Sequence, residues 1–386
     1  MQKHLKNTPP TLPIDGYCHP QFEAVRLAFI KNMASESEIG AAVSIVLHGQ
    51  TVVDLWGGYR DVNYTSPWQQ DTLVCVMSVT KAIASLCLLV LADRKQIDLD
   101  KPVAEYWPEF AQAGKEHITV RCLLAQLAGI PVVDAAPAGS LYDTELIAQA
   151  LEQQKPLWEP GTTPCYHSFT HGPLCQKIIE KVTGKSMGQY LREDVLAPFN
   201  IEFYIGLSED EINRCADIIL SQAIPSLEKM RQPDTLMHRA WRPMPNAENL
   251  FQEVQFRKTQ FASGNGHSNA RAVAQIYGIL AQGGSAEGKS LLSKTTLDDA
   301  IIEQWDAVEK ITNRHFRYAT GFMLNNPYFK VGDNPRSYGH PGLGGSIGFA
   351  DPDAGIGFGY CCNRIHAIED TGPFAGALIS ALYDAI

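Results

Sequence analysis

At 386 residues the chain can bury a large core, and 45% hydrophobic against 19% charged residues is the balance of a globular protein. A formal charge of −10 argues against nucleic acid or an anionic membrane as the main partner, and no run of eighteen apolar residues supplies a membrane span. Nine cysteines, an odd number set mostly in apolar runs and without a Cys-x-x-Cys pair, read as buried thiols of a reducing, cytoplasmic compartment.

The first ten residues are basic but lack an apolar stretch, so no secretory leader is expected, and a longer precursor stays open. Residues 20–34 have amphipathic helical spacing. Runs 41–47 and 51–56 are β-rich and meet at His48-Gly49-Gln50, a hairpin pattern. The apolar run 73–77 then gives way to a helical run ending near Arg94, with Ser78-Val79-Thr80-Lys81 at the junction. Residues 98–110, punctuated by Asp and Pro, read as a loop with a solvated acidic face. Helical patterns follow at 119–127, 142–153, 174–182 and 187–196, with a turn at 158–161. Residues 208–258 mix short helical runs with Pro, Met and Trp. A helix is expected over 270–281, short strands over 318–324, 346–350 and 356–361, and a last helix over 373–383. Strands gather at both ends and helices between them. The expected fold is therefore α/β (α+β): a mixed, mostly antiparallel sheet from residues 1–77 and 259–386, flanked by helices. A mainly helical lobe, 78–258, is inserted, with a cleft at the junction.

A serine at a helix start with a lysine three residues on shares one helix face with it, and the amine can take the hydroxyl proton. The pattern alone is weak, because a cap followed by a surface lysine has the same spacing. The chain also repeats it at Ser226-Leu227-Glu228-Lys229, in a Pro-flanked polar stretch that reads as surface. Two further segments support the first copy. Tyr166 follows the Pro160-Gly161 turn, where a phenol lowered in pKa by cationic neighbours could relay protons. Gly339-His340-Pro341-Gly342-Leu343-Gly344-Gly345 lets backbone approach a substrate and present free N–H groups.

Ser78-Val-Thr-Lys81, Tyr166-His-Ser168 and His340-Pro-Gly342 fall in the order of the three motifs of serine β-lactamase-like hydrolases. The chain resembles class C β-lactamases and, in the text of 97–110, 123–129, Asn265-Gly-His267 and 344–352, the β-lactamase-fold family VIII carboxylesterases. The resemblance covers residues 20–383 and implies that fold. It further implies Ser78 as acylated nucleophile, Lys81 as its base, Tyr166 as proton shuttle, and the N–H groups of Ser78 and Leu343 as oxyanion hole. Ser168, His340 and Gly342 would contact the substrate. Three positions depart from the β-lactamase pattern: His340 replaces lysine, Ser168 replaces asparagine, and Gln126 stands where many relatives have histidine. A neutral imidazole attracts a carboxylate less than an ammonium does, so simple small-molecule esters are expected over β-lactams or peptides. β-Lactamase or D-alanyl peptidase, acyltransferase and non-catalytic scaffold remain the alternatives. No metal or organic cofactor is called for, and homo-oligomerisation is left open.

Other patterns read differently. Gly344-Gly345-Ser346-Ile347-Gly348 fits Gly-x-Ser-x-Gly, with Asp351 or Asp353 and His366 downstream, but lacks a following helix. His167 and His171, with Cys165 and Cys175, have zinc-like spacing, yet local packing is the expected use. Met230, Met237, Trp241 and Met244 are expected to wall the substrate pocket.

Overall fold

The computed structural model describes residues 12–35, 38–220, 224–247, 249–367 and 371–386, so the segment read for a leader lies outside the described residues. Near the N-terminus β1 (Ile14–Cys18), β2 (Gly40–Leu47) and β3 (Gln50–Gly58) form a meander. Leu47 pairs with Gln50, so the hairpin loop is two residues, not the three read from sequence. His48 and Gly49 both take positive φ (47° and 81°), the tight turn whose twist matches antiparallel strands. From the other end of the chain come β4 (Trp305–Val308), β5 (His315–Tyr318), β6 (Met323–Leu324), β7 (Tyr338–Pro341), β8 (Ile347–Asp351) and β9 (Ile356–Cys362). The nine strands make one sheet in the order β1-β3-β2-β9-β8-β7-β6-β5-β4. Every neighbouring pair is antiparallel, and the two ends of the chain join where β2 lies against β9, Ser44 opposite Gly359.

Five helices place this sheet: α1 (Glu23–Ala34), α2 (Val79–Asp93), α3 (His171–Thr183), α4 (Ala270–Ala281) and α5 (Gly372–Tyr383). On one face Val43, Ile45, Phe349 and Phe358 alternate inward and pack with Phe29 of α1 and Leu378 of α5. On the other face α4 lies directly on β8 and β9. A Cβ added at Gly357 would stand 2.1 Å from the Gly278 nitrogen and 2.3 Å from the Ala274 carbonyl oxygen. Glycine there is a spacing requirement, since the helix backbone rests on the strand backbone. Helix α2 is buried from Val79 to Leu91 on all sides, with α3 against it, as its continuous apolar composition demands. A small antiparallel sheet of Val74–Cys75, Gly266–Ser268 and Phe203–Ile205 ties the start of α2 to distant segments.

Some sequence expectations are corrected. Residues 318–324 are two strands, because Gly321 (φ 93°) turns the chain against Ser85 of α2. The helix over 119–127 is only Val120–Leu124, ended by Gln126 at φ 63°. His340 lies on strand β7. β1, β4 and β7 are absent from the sequence expectations, and only Tyr318 of β5 falls within an expected strand. β1 and β4 are the sheet's two edge strands with few buried positions, and β7, Tyr-Gly-His-Pro, has the composition of a turn. No helix among the described residues is long and apolar enough to cross a membrane.

Replacing Gly357 with alanine forces α4 off β9. The expected cost is about 1–3 kcal/mol, read as a lower urea midpoint at unchanged m-value.

Candidate active site

Ser78 is presented by a strained turn. Met77, just before it, has φ 50°, a conformation that a non-glycine residue keeps only when its surroundings enforce it. The enforcing bonds are visible. The Thr80 N–H and hydroxyl both donate to the Met77 carbonyl (3.0 and 2.5 Å), the Gly266 N–H donates to Thr80 Oγ1 (2.9 Å), and the Val76 N–H donates to the Gly266 carbonyl (2.9 Å). Ser78 then occupies the N-cap position of α2, but its side chain makes no capping hydrogen bond. The cap-plus-surface-lysine alternative therefore fails on both counts: the hydroxyl does not cap, and Lys81 is fully buried.

Lys81 Nζ lies 3.1 Å from Ser78 Oγ and donates to the Ser263 carbonyl at 2.6 Å. Burial pulls its pKa down from 10.5 to about 7. A neutral amine has a lone pair to spare, and with one N–H held by Ser263 that pair can face the serine hydroxyl. The ring of Tyr166 stands 4.9 Å from Nζ, so an ammonium formed here would meet an aromatic face. The Tyr166 backbone N–H donates to the buried Glu309 carboxylate (2.8 Å), which also accepts from the Ile311 N–H. The phenol departs from the sequence expectation. Burial raises its pKa, and the Ser78 hydroxyl and Arg314 offset this only in part, so the phenol keeps its proton. His340 is buried beside it, ring centroids 6.0 Å apart. Burial, then the Lys81 charge, push the imidazole down to about 3. Its Nδ1 sits 2.7 Å from the Pro341 carbonyl and so carries the proton, which leaves Nε2 a bare acceptor.

Ser78, Tyr166, Ser168, Trp241, His340, Gly342 and Leu343 all line one cavity of about 730 Å³. Ser168 Oγ, Trp241 Nε1 and His340 Nε2 are buried in its wall without a hydrogen-bond partner among the described residues. Buried polar atoms are nearly always satisfied, so these three are groups that a molecule in the cavity, water or ligand, would partner. The backbone N–H groups of Ser78 and Leu343 likewise donate to no protein acceptor among the described residues. Gly342 serves by its size: a Cβ there would stand 2.4 Å from the Val76 carbonyl oxygen, so β7 could not reach the nucleophile turn. The segment with Met230, Met237, Trp241 and Met244 does line the cavity.

The competing motifs are used elsewhere. His171 starts α3 and His167 precedes it, so the two do not share a helix face. His167 Nδ1 meets the Cys165 carbonyl and Nε2 accepts from the Ile130 N–H; His171 meets Ser85 Oγ (3.0 Å) and Gln126 (3.2 Å). Ser346 precedes strand β8, not a helix, and its buried Oγ accepts from the Cys362 N–H. Asp351 accepts from Tyr383 and His366 meets Glu38. The second Ser-x-x-Lys lies in the helix Pro225–Arg231; the Ser226 side chain lies outside what is described, and Lys229 is exposed. Sequence reasoning missed Ser263 and Glu309. Ser263 acts through a backbone carbonyl, which no side-chain pattern encodes. Glu309 lies in a hairpin that was itself not read.

A family model described as Beta-lactamase matches residues 25–378. The chain is 32% identical over 362 residues to the esterase/beta-lactamase LipL of Mycobacterium tuberculosis, covering 91% of this chain and 83% of that one. A crystal structure of a family VIII carboxylesterase superposes with a TM-score of 0.90 at 35% identity, over 97% of this chain and all of that one. A penicillin-binding protein homologue from Caulobacter crescentus gives 0.89 at 33% identity, with the same shares covered. The sheet, the three motifs in one cavity and these matches agree: the chain belongs to the Beta-lactamase family.

Proposed function

We propose that this protein is a serine hydrolase that cleaves carboxylic esters through an acyl-enzyme on Ser78. The observation that carries the reading is the buried, depressed Lys81 amine 3.1 Å from Ser78 Oγ. Neutral Lys81 takes the hydroxyl proton as Oγ attacks the ester carbonyl. The oxyanion is met by the N–H groups of Ser78 and Leu343, and the new ammonium by the Tyr166 ring and the Ser263 carbonyl. Tyr166 gives its proton to the departing alkoxide and is reprotonated from Lys81. Water then repeats the path in reverse sense, losing a proton through Tyr166 to Lys81, which returns it to Ser78 as the acid leaves. Esters are favoured over β-lactams because His340 offers a neutral acceptor where the family pattern has an ammonium. The LipL relative is named both esterase and beta-lactamase, so slow nitrocefin turnover is the second reading. Nine cysteines, none in a disulfide, support a cytoplasmic setting.

A fluorophosphonate should add one adduct, by intact mass, to wild type and Ser346→Ala and none to Ser78→Ala. The last should also lose at least roughly a thousandfold in kcat/KM on 4-nitrophenyl butyrate. Full activity in Ser78→Ala would end the proposal. With Lys81 as base, kcat/KM should rise with pH through about 7, where the amine loses its proton. A profile flat across that range would remove Lys81 from the role.

The same amine burdens the fold. Folded Lys81 titrates near 7, and the unfolded chain holds that proton to 10.5. Unfolded chains therefore bind more protons between those values, and the burial penalty is full below pH 7 and fades as pH rises to 10.5. Lys81→Met should abolish activity yet raise stability by ~1–3 kcal/mol at pH 6, a gain that shrinks toward pH 10 in urea titrations.

A further inference from the structure

The cavity over Ser78 carries a charge pattern opposite to that of the chain. The protein has 42 acidic against 32 basic residues. Yet among the described residues no aspartate or glutamate lines the cavity, and Lys229, Arg231, Arg242 and Arg314 do. Burial sorts the lining into two zones. Met237, Phe256 and Phe261 are buried and form an apolar floor, whereas Lys229, Arg231 and Arg242 are exposed and stand at the mouth. Arg239, on the helix Leu236–Trp241, is spent on the Asp134 carboxylate at 2.7 Å. Arg242 takes only the Asp134 backbone carbonyl (3.1 Å), and the side chains of Lys229 and Arg231 make no hydrogen bond or ion pair among the described residues. Cations left without counter-charges over a low-dielectric wall focus their field into the opening.

We propose that the substrate is an amphiphilic ester whose apolar body covers the buried floor and whose far end carries an anion met by Lys229, Arg231 and Arg242. The inference rests on the esterase reading of Ser78 and narrows it. It places the anion away from the reacting carbonyl, since the group buried beside Tyr166 at the nucleophile is the neutral His340. A single anion near the reacting carbonyl, the arrangement a lysine at position 340 would suit, is not what this pocket is built for.

Two matched pairs test the idea: 4-nitrophenyl octanoate against mono-4-nitrophenyl suberate for the acyl end, and 4-nitrophenyl butyrate against its 3-carboxy derivative for the alcohol end. Each rate is normalised to its hydroxide-catalysed rate. The anionic partner of at least one pair should be favoured roughly tenfold in kcat/KM at low salt. That ratio should fall toward one at about 0.5 M salt and in the double variant Lys229→Gln/Arg231→Gln. Ratios at or below one in both pairs, or a preference indifferent to salt and to the variant, would overturn the proposal. Hydrolysis of the neutral esters by Ser78→Ala at the wild-type rate would instead overturn the catalytic reading. Calorimetric titration separates the two without turnover. Octanoate should bind wild type several-fold tighter than octanamide and lose that margin in the double variant; equal binding in wild type would sink the cationic mouth whatever the catalysis.

Discussion

The Lys81 amine, seated between the Ser78 hydroxyl and the Ser263 carbonyl, is the contact on which the rest of the centre depends. An amine in water is charged at neutral pH and useless as a base. Here burial of α2 on every side pulls the amine's pKa down to about 7, which is what the proposed role requires. The long apolar helix, which could pass for mere core, is thus the device that sets the protonation state of the site. The carbonyl of Ser263 keeps the cost tolerable by giving one N–H a partner, and the Tyr166 ring gives the transient charge a face to rest on.

Around that amine, geometry is enforced by close approach more than by polar contacts. Met77 is held in its strained turn by Thr80 and Gly266. Strand β7 reaches the same turn only because Gly342 has no side chain. Glu309 then fixes the backbone of Tyr166 from a hairpin at the far edge of the sheet. The tyrosine motif, the Ser78 turn and the β7 edge come from three parts of the chain; Glu309 holds the first, Gly266 the second, and close approach to Val76 the third.

How far this was legible in the sequence follows from what kind of group does each job. Ser78, Lys81 and Tyr166 are side chains in short spaced motifs, so a pattern could point to them, and the fold brings them together. The edge strands β1 and β4 escape the sequence, because a four- or five-residue strand at a margin has too few buried positions to show a period. Ser263 works through its backbone and Glu309 through a loop of unread hairpin. The protonation of Tyr166 differs from the sequence expectation, because a pKa set by burial needs three dimensions, and the cation beside the phenol, Arg314, offsets that burial only in part. Gly342 was assigned to substrate contact, and its closest constraint is the Val76 carbonyl.

The pairing of β2 with β9 has a consequence for how the molecule comes into being. Ser44 faces Gly359 across more than three hundred residues of chain, and the glycine that admits β7 to the nucleophile turn lies on the far side of that join. Local folding can produce α2, and with it Ser78 and Lys81 in register, long before the wall opposite them exists. Closing so long a loop costs chain entropy, and non-local pairings of this kind form slowly. Until the last strands dock, Ser78 and Lys81 lack the wall that His340 and Gly342 form opposite them.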